Sequence, residues 1–249
     1  MKLHVIATGS SGNCYVLEGI TSALVLEAGV SPEKVFQRCR VSTRKIAGVL
    51  ITHEHGDHAG FVHRWLVLGF RVFMSAGTRE ALRLNDARLV DILKAWESST
   101  IGEFAVRPFP AVHDAAEPFS YIIEHDESGR IVFATDTGRI DYSFRASNIR
   151  HLLVEANYAD SIIDDNLGRG QMFPALARRI RENHLSLDRC RAFVAEHNTA
   201  ALETVVLIHL SGDNADPAIF RENIAKTAPY ANVCVAVKDL VVPLDKLSM

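Results

Sequence analysis

Four short apolar segments of this chain are each followed, immediately or after one residue, by a histidine or an aspartate. The residues in question are His53, His113, Asp136 and His209. A short continuous apolar run is typical of a buried strand, and functional side chains gather on loops that a rigid sheet holds in place. Each residue taken singly has an ordinary alternative role as a strand-end cap, a turn aspartate or a core histidine. Their repetition favours a functional site at strand ends.

The densest group of candidate ligands is the run Thr-His-Glu-His-Gly-Asp-His, which follows the first of these segments. In extended backbone His53 and His55 point to the same side, because side chains alternate along a strand. Gly56 permits a sharp turn, after which Asp57 and His58 can reach a second position. The run therefore offers four metal-binding side chains within six residues.

Two familiar zinc motifs do not fit this run. Residue 57 is aspartate where a His-Glu-x-x-His protease needs its second histidine, and no cysteine lies nearby for a zinc finger. A further alternative, that Asp57 caps a helix beginning near His58 and the histidines are solvated, explains one residue of four. The full set of candidates is His53, His55, Asp57, His58, His113, Asp136 and His209. These are too many ligands for one tetrahedral zinc and fit two metals that share a carboxylate.

The composition excludes several classes of protein. The 249 residues carry 27 Lys and Arg against 30 Asp and Glu, a formal net charge of −3 that argues against a strongly basic nucleic-acid coat. No apolar stretch approaches the roughly 18 residues of a membrane span, and glycine breaks the N-terminal run too soon for a signal peptide. The four cysteines lack Cys-x-x-Cys spacing and are interpreted as reduced, buried thiols, which indicates a cytoplasmic protein.

The pattern along the chain predicts a single α+β domain over residues 1–249, since no long linker or repeat interrupts it. Helical signals begin at Ser31-Pro32-Glu33, near Phe61 and near Leu187. Strands are expected at 3–8, 14–18, 23–27, 48–52, 71–74, 120–124, 131–135, 152–155, 204–208 and 232–237. This distribution indicates sheets packed on each other with helices outside.

In order and approximate spacing, the seven candidate ligands resemble the dinuclear site of the metallo-β-lactamase fold. The resemblance implies that one metal is bound by His53, His55 and His113. It implies that the other is bound by Asp57, His58 and His209, with Asp136 bridging the two metals. It also implies the four-layer αββα sandwich of that family.

Within that superfamily the chain resembles the WalJ (YycJ) group of single-domain, exonuclease-like metallohydrolases. The matching segments begin at Gly9 (Gly-Ser-Ser-Gly-Asn), His113 (His-Asp-Ala-Ala-Glu-Pro), Thr135 (Thr-Asp-Thr-Gly), Glu155 (Glu-Ala-Asn), His184 (His-Leu-Ser) and His209 (His-Leu-Ser-Gly-Asp-Asn). Only 18 residues lie between Asp136 and Glu155, too few for the inserted domain of RNA-processing relatives. The implied substrate is therefore a DNA end or a small phosphodiester.

More distantly the chain resembles tRNase Z, in which a glutamate and a histidine assist protonation of the leaving group. By that resemblance the corresponding residues are Glu155 and His184. Taken as residues only, His184 is a histidine at the start of a helix, and Glu155 ends an apolar strand, where a carboxylate needs a partner. The chain departs from the WalJ pattern at Glu27, Tyr158, Asn183 and Leu187.

The resemblance implies a metal-dependent hydrolase, foremost a phosphodiesterase or nuclease. A hydroxide held between two metals (zinc or manganese, with iron as a third option) would attack phosphorus, and His184 would protonate the departing oxygen. Asp57 would serve both as ligand and in catalysis. Six arginines against two acids in segment 169–191 support an anionic substrate. The alternatives are hydrolysis of a lactone, thioester or β-lactam, and a non-catalytic nucleic-acid-binding module.

Overall fold

The computed structural model describes residues 1–84 and 87–245, and two compact units can be distinguished in it. The first unit comprises Met1–Pro110, Ala115–Gly129 and the chain from Val237 on. The second unit comprises Ala111–Asp114 and Arg130–Ala236. The expectation of a single domain over residues 1–249 stays a prediction.

The described residues form fourteen strands and eight α-helices. The strands are β1 (Lys2–Ala7), β2 (Cys14–Glu18), β3 (Ala23–Leu26), β4 (Ile46–Leu50), β5 (Val72–Met74), β6 (Val90–Ile92), β7 (Ser99–Ile101), β8 (Phe104–Pro110), β9 (Phe119–His125), β10 (Gly129–Ala134), β11 (Ile149–Glu155), β12 (Thr204–Ile208), β13 (Asn232–Val235) and β14 (Val241–Pro243). The helices are α1 (Pro32–Cys39), α2 (Gly56–Ala59), α3 (Val62–Val67), α4 (Ala76–Ala81), α5 (Asp160–Gly168), α6 (Pro174–Asn183), α7 (Leu187–His197) and α8 (Pro217–Thr227). None of these helices is long and apolar enough to cross a membrane.

The first unit contains a mixed sheet in the order β14-β1-β2-β3-β4-β5-β6. Its antiparallel part runs from β14 to β3, and β3 to β6 are parallel. Strands β7, β8 and β9 form an antiparallel meander in the same unit. Because β3 and β4 are parallel neighbours, the residues that follow them leave the sheet at the same edge. Those residues are Glu27 after β3 and the histidine run after β4.

The second unit is built on the parallel strands β10, β11, β12 and β13, against which α7 and α8 pack. All five residues of β12 are buried, as expected for a parallel strand covered on both faces. The carboxyl ends of parallel strands meet at one edge of a sheet, where ligand sites of such sheets are found. Asp136, Glu155 and His209 all lie at this edge, after or at the end of β10, β11 and β12.

All ten strands expected from the sequence are present, with ends displaced by at most three residues. Four strands were not expected, namely β6, β7, β8 and β14. Strand β8 shows why a strand can escape prediction. Its buried Phe104 and Val106 alternate with exposed residues, as in a half-buried strand, but Pro108 and Pro110 interrupt the strand pattern in the sequence. The helix start at Ser31 is correct, although its side chain makes no capping hydrogen bond. The cysteines are free thiols, of which Cys14 and Cys190 are buried and the other two half-buried.

Among the histidines not assigned to metal, His197 is held neutral in the core of the second unit. Its Nε2 accepts the backbone N–H of Phe144 at 2.9 Å, and its Nδ1 donates to the carbonyl of Phe193 at 2.8 Å. A ring nitrogen that accepts an amide proton cannot also carry one, so this geometry fits only the neutral ring. Burial lowers the pKa of His197 below its ordinary value, in agreement with the hydrogen bonds.

We expect His197 to make the protein less stable at acidic pH. Below about pH 6.5 His197 binds a proton in the unfolded chain but stays neutral in the folded protein. The free energy of unfolding therefore falls as pH decreases, by up to about 1.4 kcal/mol per pH unit. In urea unfolding at pH 7.5 and 5.5, the wild type should lose on the order of 1 kcal/mol more than His197→Gln, whose amide oxygen can accept from Phe144. Replacement of the exposed His63 by Gln is the matched control. An equal loss in the wild type and His197→Gln would contradict the prediction.

Candidate metal centre

In the first unit, the histidine run forms a compact cluster of imidazoles, here called the first-unit cluster (His53, His55, Asp57 and His58). The ring centroid of His53 lies 4.7 Å from that of His55 and 4.2 Å from that of His58. Both His53 and His58 are buried. Three imidazoles so close together cannot all be protonated at low cost, whereas neutral imidazoles that share a cation are favourable.

Neighbouring polar groups orient the rings of the first-unit cluster. Thr52 Oγ1 lies 2.9 Å from His53 Nδ1, and Glu27 Oε1 lies 3.6 Å from His58 Nδ1. At His53 the contact to Nδ1 leaves Nε2 as the atom that faces a cation, the usual arrangement around a metal-binding histidine. The 3.6 Å separation at Glu27, one of the positions where the chain departs from the pattern it resembles, is longer than a hydrogen bond.

The structure contradicts the alternative in which Asp57 caps a helix. Helix α2 begins at Gly56 with His55 as the preceding residue, and no side chain caps it. The carboxylate of Asp57 instead approaches the neighbouring histidine, with Oδ2 3.3 Å from Nε2 of His58.

In the second unit, His113, Asp136 and His209 form the second-unit cluster. Asp136 Oδ1 lies 3.1 Å from His209 Nδ1, and Asp136 Oδ2 lies 3.7 Å from His113 Nε2. The backbone φ values of Asp136 and His209 are +45° and +54°, the left-handed region that side chains other than glycine rarely adopt. Such strain at two strand ends is typical of functional sites. His113 Nδ1 donates to the carbonyl of Asn183 at 3.0 Å, and burial lowers the pKa of His113, so its Nε2 carries a lone pair.

Glu155 lies at the centre of the second unit's polar contacts and is fully buried. Its Oε1 accepts from Nδ1 of His184 at 2.8 Å and from Nδ1 of His209 at 3.1 Å. Its Oε2 accepts the backbone N–H groups of Thr137 and Leu185 at 3.0 and 3.1 Å. The expectation that this buried carboxylate has partners is therefore confirmed.

The protonation of Glu155 and His184 follows from this arrangement. Burial alone would raise the pKa of Glu155, but the two histidines outweigh it and the pKa is lowered. Burial likewise opposes the charge on His184, but the Glu155 carboxylate outweighs it and raises the pKa of His184. His184 directly follows the last residue of α6, so the expectation of a helix start there is wrong.

The donor atoms of the second unit suit a divalent cation. Ligand atoms of Asp136, Glu155, His184 and His209 lie within 4.8 Å of one another. Carboxylate and imidazole together are ligands for zinc, manganese and iron. The fold and its His/Asp clusters thus fit divalent metals, as the sequence predicts.

The arginine segment 169–191 differs from the expected basic face, since each of its six arginines has an acidic or carbonyl partner. Arg179 pairs with Asp114 at 3.2 Å, and Arg181 with Asp160 and Asp164 at 2.7 and 2.6 Å. The remaining contacts are Arg169–Asp165, Arg178–Glu182, Arg191–Asp188 and Arg189 with the carbonyl of Gly138. Asp114, Asp160, Asp164 and Asp165 lie outside the segment and offset its net positive charge.

Sequence reasoning assigned no role to two asparagines that contact candidate ligands. Asn13 Nδ2 lies 3.1 Å from His58 Nε2, and Asn157 Nδ2 donates to the carbonyl of His209 at 2.9 Å. Both residues stand in segments that carry the family resemblance, Gly-Ser-Ser-Gly-Asn and Glu-Ala-Asn. Their position in these segments is the feature of the sequence that could have marked the two asparagines as part of the site.

The sequence of this chain is similar to sequences of known proteins. The sequence profile of a family described as "Beta-lactamase superfamily domain" matches residues 25–215. An exodeoxyribonuclease, YycJ of Bacillus anthracis, is 26% identical over 243 residues, which cover 91% of this chain and 89% of that protein.

Two solved structures share the fold. The metallo-β-lactamase fold protein YhfI of Bacillus subtilis superposes with a TM-score of 0.75 at 16% identity, over 97% of this chain and 98% of that one. The short form of human tRNase Z superposes with a TM-score of 0.67 at 15% identity, over 99% and 100% of the two chains. The expected fold class, the α+β sandwich of the metallo-β-lactamase type, is confirmed.

Proposed function

Because the chain belongs to the beta-lactamase superfamily, we propose that it is a two-metal phosphodiesterase, a nuclease that acts on DNA ends in the manner of an exonuclease. The observation that carries the proposal is the buried Glu155 bound to His184 beside Asp136 and His209. A histidine held in this way can protonate the alkoxide that leaves a phosphodiester. The similarity to a protein named exodeoxyribonuclease supports the same substrate class. A cytoplasmic location remains part of the proposal.

The proposed ligands follow the family resemblance. We assign one cation to His53, His55 and His113, and the other to Asp57, His58 and His209, with Asp136 shared. Zinc or manganese fits imidazole and carboxylate ligands best, and iron also suits them. When bound, such a pair of cations would supply a hydroxide nucleophile at neutral pH and would offset the charge of the phosphoryl oxygens.

His184 is proposed as the general acid. Its Nδ1 donates to Glu155, so its second proton is carried by Nε2, and the raised pKa favours the protonated ring. Delivery of that proton to the departing oxygen avoids release of an alkoxide, a contribution typically of about 10²–10⁴-fold. Glu155 acts as a positioning residue, fixed in turn by the backbone N–H groups of Thr137 and Leu185.

A substrate panel tests the proposal. Protein purified without added metal is analysed for its metal content and then assayed with bis-p-nitrophenyl phosphate, end-labelled DNA, p-nitrophenyl acetate and a lactone. We expect metal-dependent cleavage of the phosphodiesters that exceeds cleavage of the esters. The alternative is hydrolysis of a carbonyl substrate such as a lactone or thioester, and the ion pairs that neutralise arginines of segment 169–191 favour it. Faster turnover of the lactone or the ester than of the phosphodiesters would establish that alternative. DNA binding with no turnover in Mn²⁺ or Zn²⁺ would show a non-catalytic module.

One arginine is expected to affect substrate binding. Arg179 pairs with Asp114, which follows His113 and lies 3.4 Å from its Nε2, so this guanidinium is placed beside the second-unit cluster. Loss of a charge-assisted contact to substrate phosphate costs about 1.4 kcal/mol, so Arg179→Ala should raise KM for DNA about tenfold with kcat little changed. Arg178→Ala is the control, since Arg178 is highly exposed and pairs with Glu182 on its own helix. Equal KM values for the two variants would contradict the prediction.

A further inference from the structure

We propose that Asn13 positions the turn of Asp57 and His58, and with it the Asp57 carboxylate, for metal binding, an inference that rests on the second cation position of the proposed function. Asn13 is fully buried and lies in the first unit with both of those residues. Its Nδ2 is 3.1 Å from His58 Nε2 and 3.4 Å from Asp57 Oδ2. Its backbone N–H donates to the carbonyl of Asp57 at 2.7 Å. The contacts to Asp57 are compatible with a bound cation, because a carboxylate has several lone pairs, whereas a cation on His58 Nε2 would replace the Asn13 contact, because that nitrogen has only one.

The orientation of the Asn13 amide is determined by its other contacts. Its Oδ1 accepts the backbone N–H of Gly9 at 2.9 Å, and its Nδ2 donates to the carbonyl of the same Gly9 at 3.2 Å. A flipped amide would place oxygen against oxygen at both Gly9 and Asp57, which is unfavourable. The donor end of Asn13 therefore faces Asp57 and His58.

A hydroxyl pair supports the acceptor end of the amide. Tyr15 donates to Asn13 Oδ1 at 3.4 Å, and the Tyr15 hydroxyl lies 2.8 Å from Thr8 Oγ1. Tyr15 is fully buried between apolar strands. Burial of a hydroxyl and an amide costs free energy unless every polar atom is hydrogen-bonded, and an apolar pair could fill the same volume. The polar network is therefore better explained by the placement of Asp57 and His58 than by stability.

The loop that carries Asn13 has little freedom to move. Gly12 has φ of +140°, and a Cβ atom there would lie 2.6 Å from the carbonyl oxygen of Gly29. The amide N–H of Gly29 in turn donates to the carbonyl of Asn13 at 2.9 Å. The Gly-Ser-Ser-Gly-Asn segment thus holds Asn13 rigidly against the turn of α2, while Ser10 and Ser11 stay exposed.

The test measures metal binding as well as catalysis. Asn13→Leu keeps the approximate shape of the side chain and removes the Nδ2 donor that faces Asp57, without adding a charge that would itself attract a cation. We expect at least a tenfold loss of affinity for one of two equivalents of Zn²⁺ or Mn²⁺, measured by competition with a chromogenic chelator and by elemental analysis after dialysis. Ser11→Ala, in the same loop, should bind both equivalents with the affinity of the wild type.

Tyr15→Phe provides the second variant, since it removes only the hydroxyl that supports the acceptor end. It should weaken the same equivalent of metal by several-fold while the circular dichroism spectrum is unchanged. A lowered melting temperature with wild-type affinity in both variants would show a merely structural role and overturn the inference. Wild-type protein that binds no metal would contradict the proposed function itself. If the wild type and Asn13→Leu both bind two equivalents of metal tightly, only the role of Asn13 is overturned.

Discussion

Asp57→Ala is expected to lower kcat/KM for bis-p-nitrophenyl phosphate by at least about 10³-fold, or about 4 kcal/mol of transition-state stabilisation. The reason is that Asp57 is the proposed carboxylate ligand of the second cation. In a two-cation mechanism, loss of either ion removes the stabilisation of charge in the transition state. Metal content should fall from two equivalents per chain towards one. Excess Mn²⁺ in the assay should restore only part of the rate.

Asp188→Ala is the matched control for Asp57→Ala. It removes an exposed carboxylate that pairs with Arg191 at 3.0 Å on the surface of α7 and is not one of the proposed ligands. Its rate and metal content should equal those of the wild type. Full activity of Asp57→Ala would exclude the two-metal mechanism, whatever the metal content of the variant.

The positions of the candidate ligands were accessible from sequence because their signal is local. An apolar run followed by a polar side chain needs only short-range information, and β10, β12 and the strand before the histidine run all obey it. The left-handed backbone of Asp136 and His209 was not predictable in this way, since nothing in the neighbouring residues marks a positive φ. That conformation is held by the surrounding structure.

The charge of the arginine segment shows the opposite case. Counting within residues 169–191 gives a basic stretch, but Arg179 pairs with Asp114, which is 65 positions away. The acids Asp160 and Asp164, which pair with Arg181, also precede the counted segment. A window along the sequence cannot include partners that only the folded chain brings near. The same limitation applies to Glu155 and His184, 29 positions apart, whose pairing the residues alone did not suggest.

His184→Ala should separate its two possible roles through the choice of leaving group. A DNA phosphodiester expels an alkoxide that needs a proton, whereas bis-p-nitrophenyl phosphate expels a phenolate that is stable without one. Loss of the general acid should therefore lower kcat on DNA by about 10²–10⁴-fold and on the nitrophenyl ester by less than about tenfold. Metal content should stay at two equivalents.

Glu155→Gln should reproduce this selective pattern more weakly, because the amide keeps the size of the carboxylate but removes the charge that raises the pKa of His184. The alternative is that His184 binds metal, since its nitrogen lies within 4.8 Å of ligand atoms of Asp136 and His209. In that case His184→Ala would lose metal and would slow both substrates equally, because the deficit would lie in the cation rather than in the proton. Equal losses on the two substrates would therefore exclude the acid role and add His184 to the ligands.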